Sequence, residues 1–197
     1  PNELYKYVKD FNSLMLAYKS VIRELKTKLE ILNDEFIIKN QRNPIEFVKS
    51  RIKKPASIIE KLHRRGFEIS AESIRKNLND VAGIRVVCSF IDDIYAIADM
   101  LSSQDDIRVV EIKDYIKNPK KNGYRSLHII VTSPVYFSKS REEVKCEIQV
   151  RTIAMDFWAS LEHSMKYKKE VEDTPELIYQ LKQCADQITE VDYKMMG

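Results

Sequence analysis

DVAGIRVVCSF, residues 80–90, is the stretch on which the fold turns. Its run from Val81 to Phe90 reads as a core strand, because β-branched side chains pack well on a pleated surface. Three further runs of this kind follow at Ile107 to Lys113, Leu127 to Thr132 and Val144 to Val150, with a helix expected from about Asp93 to Leu101 after the first. Working back toward the amino end, Asn43-Pro44-Ile45-Glu46 supplies an N-cap, a proline at the first helical position and a capping-box glutamate, so a short helix toward Ser50 is expected. A second should run from Pro55 to Arg65 and end at Gly66; Ser70 caps a third that reaches about Leu78. The fold class is therefore α+β, a small mixed β-sheet flanked by helices.

Both ends of the chain read as long helices. An apolar seam runs through Leu4, Val8, Phe11, Met15, Tyr18, Ile22, Leu25, Leu29, Leu32 and Phe36 in alternating steps of four and three. The same stepping recurs at Leu177, Leu181, Cys184, Ile188, Val191 and Met195, behind a Thr174-Pro175-Glu176 start signal. Such seams are longer than a small core needs, which leaves room for subunit contacts. Another helix is expected from Thr152 to about Lys168, burying Ile153, Phe157, Leu161 and Met165. No repeat or linker divides the chain, so one domain over 1–197 is expected, with 1–40 and 174–197 as helical extensions for oligomerisation.

Composition narrows the class. Apolar residues make up 44% and charged residues 32% of the 197, which excludes a disordered chain. No apolar run approaches the roughly 20 residues of a membrane span, and the first residues carry no signal-peptide pattern, so a soluble cytoplasmic protein is expected. Cys88, Cys146 and Cys184 are far apart and sit among apolar neighbours, which predicts free buried thiols. His63, His128 and His163 are equally scattered and offer no zinc spacing. The net charge of +3 hides a dipole: Lys49 to Arg65 holds seven bases against Glu60, while Glu170 onward holds seven acids against Lys182 and Lys194. A basic stretch of that kind suits a polyanion, though a charge run can also be only a solvated helix face.

Four pieces could carry chemistry. In RIKKPASIIEKLHRR, residues 51–65, Ser57 and Lys61 share a helix face while Arg51 and Lys53 lie on its approach, a row fit for a triphosphate. Asp80 opens a core strand with Gly83 and Arg85 beyond it, and could hold magnesium beside phosphates or merely cap a turn. In EIQVRT, residues 147–152, strand alternation puts Glu147, Gln149 and Arg151 on one face and Ile148 and Val150 on the other. Glu147 could complete a two-carboxylate magnesium site with Asp80 and take a proton from an attacking hydroxyl; an exposed sheet face is the plainer alternative. In KKNGYRSLHIIV, residues 120–131, Gly123 lets the loop turn, Tyr124 offers a ring for stacking, His128 lies on the same strand face, and Lys120 and Arg125 add charge.

In their order, R-x-K-x-x-x-S-x-x-x-K, D-x-A-G-x-R, N-G-Y-R-S-x-H and E-I-Q-x-R-T, these pieces resemble the synthetase domain of the RelA/SpoT homologue family, in its short, single-domain members. The resemblance covers about Asn43 to Lys168. It implies transfer of the ATP β,γ-pyrophosphate to the ribose 3′-hydroxyl of GDP or GTP, yielding ppGpp or pppGpp and AMP. It further implies that Arg51 and Arg85 sandwich adenine, that Lys53, Ser57 and Lys61 grip the ATP phosphates with help from Arg64, and that Asp80 and Glu147 hold Mg2+. Glu147 would also activate the 3′-hydroxyl. Tyr124 would stack on guanine, Asn122 would read its edge, and Lys113, Lys120 and His128 would meet the acceptor phosphates, with Gln149 beside them. Homotetramers built through the terminal helices are also implied. Asp156 replaces a neutral Asn that the resemblance links to product-stimulated members, so weak product activation is expected.

Other readings compete. The basic segments with Tyr115 and Tyr124 interleaved could grip single-stranded RNA, although that leaves Asp80 and Glu147 without a role. Pyrophosphate could also go to tRNA or an adenine nucleotide on the same fold.

Overall fold

The computed structural model describes residues 2–169 and 174–196. Five strands form one mixed sheet: β1 (Ile45–Ile52), β2 (Ala82–Cys88), β3 (Arg108–Asp114), β4 (Leu127–Tyr136) and β5 (Arg141–Thr152). Their order is β1-β2-β5-β4-β3, with β2 and β5 parallel and the other neighbours antiparallel. Among the described residues there are also six helices: α1 (Asn2–Asn40), α2 (Pro55–Arg64), α3 (Ala71–Asn77), α4 (Ile91–Ser102), α5 (Ile153–Lys169) and α6 (Pro175–Lys194). The α+β class expected from the sequence is the class observed.

The core lies on one face of the sheet. Leu14, Tyr18, Val21, Leu25 and Leu29 of α1 pack with Ile94, Ile97 and Leu101 of α4 over Ile84, Val86, Ile129, Val131, Ile148 and Val150. The amino-terminal part of the α1 seam runs past this core, leaving Leu4 and Val8 exposed. Because strand side chains alternate, burying one face turns Arg85, Glu147, Gln149 and His128 to the other. That second face holds the candidate site.

Three expectations need correction. Asn43-Pro44-Ile45-Glu46 opens β1, not a helix: the Asn43 side chain accepts from the amide of Ile45, two residues on, and the chain then extends to pair with β2. Val48 and Ile52 pack against the core in that extended form, a gain that a capping signal cannot match. In α5 the period is right and the phase wrong. Met155 and Trp158 are buried, whereas Ile153, Phe157 and Leu161 are exposed, because the side that packs against β5 and α6 is the one carrying Met155 and Trp158; Thr152 caps the helix by accepting from the Met155 amide. In α6 the small Ala185 is buried and its neighbour Cys184 is exposed; only Cys88 and Cys146 are buried thiols, and burial pushes both well above the ordinary range. The acidic stretch from Glu170 to Asp173 and the terminal Gly197 lie outside the described residues. No helix among the described residues is long and apolar enough to cross a membrane.

Candidate active site

Strand register builds the site before any side-chain contact does. Lys49 pairs with Arg85, Arg85 with Gln149, Gln149 with His128 and His128 with Lys113, so five polar side chains form one row across the sheet. A second row sets Arg51 opposite Gly83 and Gly83 opposite Glu147. Two cavities open over these rows. One, of about 300 Å³, is lined by Arg51, Asp80, Arg85, Glu147 and Gln149 together with Lys49 and Ser50. The other, of about 520 Å³, takes Arg51, Arg85 and Gln149 as its shared wall and adds Tyr124, Arg151 and the α5 residues Ser160, Glu162 and His163.

At the α2 end, Lys53 and Lys61 both donate to Asp80, at 2.9 and 2.8 Å. Burial works to raise the Asp80 carboxyl, but the hydrogen bonds and charges of Lys61 and Lys53 outweigh it and hold the group below the usual carboxylate range. Ser57 lies one turn before Lys61 on the same face, and Arg64 is exposed on the last turn of α2; neither bonds to this cluster.

Arg151, expected to face a ligand, is instead 3% exposed and works as a hub. Its Nη2 donates to Tyr124 Oη at 2.7 Å and to Gln149 Oε1 at 2.8 Å, its Nε to Ser126, and its Nη1 to Asp156 at 3.2 Å. Gln149 then donates to Glu147 Oε1 at 2.8 Å, which fixes that carboxylate in the cavity. Asp156 also faces Arg85 at 3.5 Å, so its charge is compensated by two guanidinium groups. Arg85 Nε is buried without a hydrogen-bond partner, an unused donor in the wall that both cavities share.

On the far side, the loop between β3 and β4 presents Tyr124. Its hydroxyl lies 2.7 Å from His128 Nε2. Arg151 also donates to that oxygen, so the Tyr124 hydroxyl links the guanidinium to the imidazole. Burial, then the charges of Arg151, Lys120, Lys113 and Arg85, push His128 down to about 3. It is therefore a neutral hydrogen-bonding group at pH 7, and no fixed positive charge. Lys120 stands over the rings of Tyr115 and Tyr124, at 4.8 and 4.9 Å from their centroids. Asn122 spends its side-chain oxygen on the amide of Tyr124, which shapes the turn, and Lys113 lies beside His128 with Glu111 at 3.5 Å.

Arg51, Asp80, Arg85, Glu147 and Gln149 are thus together, as are Tyr124, His128 and Lys120, with Lys53 and Lys61 joined through Asp80. Sequence reasoning missed the roles of Arg151 and Asp156. The signal for Arg151 was its place on the face of Glu147 and Gln149; Asp156 gave none beyond its nearness in the chain.

A basic, two-chambered sheet face with a pair of carboxylates lining one chamber suits a domain for handling nucleotide phosphates. Residues 50–172 match the family described as a region found in RelA / SpoT proteins, and the chain belongs to that family. It is 44% identical over 196 residues to the GTP pyrophosphokinase YwaC of Bacillus subtilis, covering all of this chain and 93% of that one. It is 34% identical to the GTP pyrophosphokinase YjbM of the same organism, over 95% of this chain and 87% of that one. The crystal structure of small alarmone synthetase 2 from Bacillus subtilis superposes with a TM-score of 0.83 at 46% identity, covering 92% of this chain and 94% of that one. Small alarmone synthetase 1, bound to its product pppGpp, superposes at 0.85 with 34% identity and 95% of both chains covered.

Proposed function

We propose that this chain is a GTP pyrophosphokinase that makes ppGpp or pppGpp from ATP and GDP or GTP. One observation carries the reading: hydrogen bonds run unbroken from the aromatic end to the central carboxylate, His128 to Tyr124 to Arg151 to Gln149 to Glu147, and Glu147 shares its cavity with Asp80, on which Lys53 and Lys61 converge. Relatives matched over nearly their whole length carry the same activity in their names.

In this account adenine lies between Arg51 and Arg85, and Lys53, Ser57 and Lys61 take the ATP phosphates, with Arg64 at the rim. Lys53 and Lys61 must then exchange Asp80 for phosphate oxygens, which releases the Asp80 carboxylate. Among the described residues no cluster of three or more His, Cys, Asp or Glu could hold a metal alone. Two hard carboxylates, Asp80 and Glu147, opening on one cavity suit Mg2+, whose other positions would fall to phosphate and water. Bound there, the ion would neutralise charge on the transferring phosphates.

Guanine stacks on Tyr124, which requires Lys120 to leave the ring and meet the acceptor phosphates with Lys113. Neutral His128 adds a hydrogen bond, Asn122 and Gln149 border the base and ribose, and Glu147 removes the proton of the 3′-hydroxyl. The oxygen attacks the β-phosphorus of ATP, the bond to the α-phosphate oxygen breaks, and AMP departs. Positioning and charge stabilisation supply the rate, with no covalent enzyme intermediate. An RNA groove would leave the two carboxylates in the cavity without a role.

Homotetramers formed through the terminal helices are also proposed, supported by the exposed Leu4 and Val8 of α1 and Val191 and Met195 of α6. A cytoplasmic location accords with the nucleotides used. The function is tested by incubating the purified protein with magnesium, ATP and, separately, GDP, GTP, GMP, ADP and tRNA. AMP with a 3′-pyrophosphorylated guanosine nucleotide is expected from GDP or GTP. Transfer to tRNA or ADP instead would reassign the acceptor, and no AMP with any acceptor would end the enzyme reading.

A further inference from the structure

The loop that carries Tyr124 is not held by the sheet alone. Its tip closes through Gly123 N to Lys120 O at 2.8 Å and Lys120 N to Tyr124 O at 3.1 Å, and its outer side lies on α6. Gly123 has φ +92°, and a Cβ built there would stand 2.3 Å from Ala185 Cβ and 3.3 Å from Lys182 Cα, so loop and helix meet backbone to backbone. One turn along α6, Arg125 Nη1 donates to Thr189 Oγ1 at 2.7 Å; one turn further its guanidinium lies over the ring of Tyr193 at 5.7 Å. Arg125 is only 6% exposed, so this bond is shielded from water.

Positions 185, 189 and 193 thus form one stripe of α6 pressed along residues 123–125. The helix itself is anchored on both sides of the site. Trp158 Nε1 donates to Leu181 O at 3.0 Å, and Thr152 Oγ1 donates to Asp192 Oδ2 at 2.6 Å. The Trp158 ring also lies edge-on to Tyr124, with centroids 6.3 Å apart. By contrast, Asp80, Lys53, Lys61, Arg51 and Glu147 have no bond to α6 among the described contacts. The segment matched to the family model ends at residue 172, before α6 begins.

We propose that α6 is the positioning element of the acceptor subsite: Ala185 and Thr189, through Gly123 and Arg125, set the loop so that Tyr124 presents its ring to the guanine nucleotide. The proposal rests on the acceptor role of Tyr124 given above. α6 therefore controls the acceptor and leaves the ATP end alone, and any displacement of α6 is read out as lost acceptor affinity.

The test is steady-state kinetics of the full chain with magnesium, varying GDP at saturating ATP and ATP at saturating GDP. Thr189→Val removes the bond to Arg125 with little change in volume, and Ala185→Val pushes a side chain into the Gly123 contact. For both, KM for GDP is expected to rise about tenfold, the effect of losing one shielded charge-assisted hydrogen bond or its equivalent in strain. KM for ATP should stay within about twofold by the same reasoning on independent sites. Thr189→Ser should restore the GDP value, and Tyr179→Ser, on the exposed side of α6, should leave both unchanged. Should Ala185→Val fail to fold, Thr189→Val decides alone. Equal rises in both KM values, or unchanged GDP affinity in Thr189→Val while Tyr124→Ala loses it, would overturn the positioning role. If Tyr124→Ala itself leaves KM for GDP unchanged, the acceptor assignment falls and this proposal with it.

Discussion

The two ends of the site are held in opposite ways. At the α2 end, Lys53 and Lys61 lock onto Asp80 by ion pairs still partly open to water. At the loop end, Tyr124 is held by a buried arginine and by an α6 helix whose contact with Arg125 spans 64 residues. Partly exposed ion pairs are individually weak and exchange readily, as a triphosphate grip must. A shielded hydrogen-bond network is rigid and costly to disturb, as a base-reading surface must be. The donor end is thus built to be rearranged by its ligand, and the acceptor end to be rigid before its ligand arrives.

Breaking the centre separates the ends most severely. Glu147→Gln keeps the bond to Gln149 within reach but removes the base, so turnover should fall about 10²–10⁴-fold while both nucleotides still bind, measured by single-turnover kinetics beside equilibrium binding. Arg151→Lys comes next. Lysine cannot serve Tyr124, Gln149, Ser126 and Asp156 together, so kcat/KM for GDP should drop about tenfold to a hundredfold. A stability loss of about 1–3 kcal/mol in denaturant unfolding should accompany it, since buried acceptors are left short of donors. Thr189→Val, tenfold on GDP alone, follows.

Asp80→Asn sharpens the contrast further. Freeing Lys53 and Lys61 should tighten magnesium-free ATP binding about twofold to fivefold in calorimetry, the scale of a partly exposed ion pair, even as magnesium-dependent turnover falls. Unchanged or weaker metal-free binding would contradict the exchange of partners at that end.

The smallest effect is on pH. His128 is depressed to about 3 in the folded protein and titrates near 6.5 when unfolded, so below pH 6.5 the unfolded chain binds a proton that the native one does not. Stability from this group is whole above pH 6.5 and is lost as pH falls toward 3. Asp80, also depressed, contributes above its unfolded value near 4, while Asp192, raised by burial, acts in the opposite sense, so the difference between the wild type and His128→Gln reads the share of the histidine. Thermal unfolding should show a downward slope below about pH 6.5 that His128→Gln flattens.

The same contrast explains what the sequence made legible. Strand alternation alone turned Glu147 and Gln149 toward the site, and helix spacing alone put Ser57 and Lys61 on one face, because local geometry fixes both. Asn43-Pro44-Ile45-Glu46 misled because its capping signals are local while its fate was set by pairing with β2 far along the chain. The phase of α5 depended on which of two apolar sides met β5 and α6, a tertiary choice that Ile153 and Phe157 could not announce. Arg151 read as one more ligand-facing cation, since nothing local reveals that Tyr124 and Asp156 converge on it. The backing of Gly123 by Ala185 is wholly long-range and left no mark beyond a glycine in a turn.

A crystal structure with magnesium, GDP and a non-hydrolysable ATP analogue tests the central claim, that both ends of one sheet face deliver their nucleotides to Glu147. Adenine is expected between Arg51 and Arg85, guanine on Tyr124 with Lys120 displaced from the ring, and the 3′-hydroxyl within about 3 Å of a Glu147 oxygen. Guanosine bound away from Tyr124, or a 3′-hydroxyl turned from Glu147 with both nucleotides in place, would contradict it.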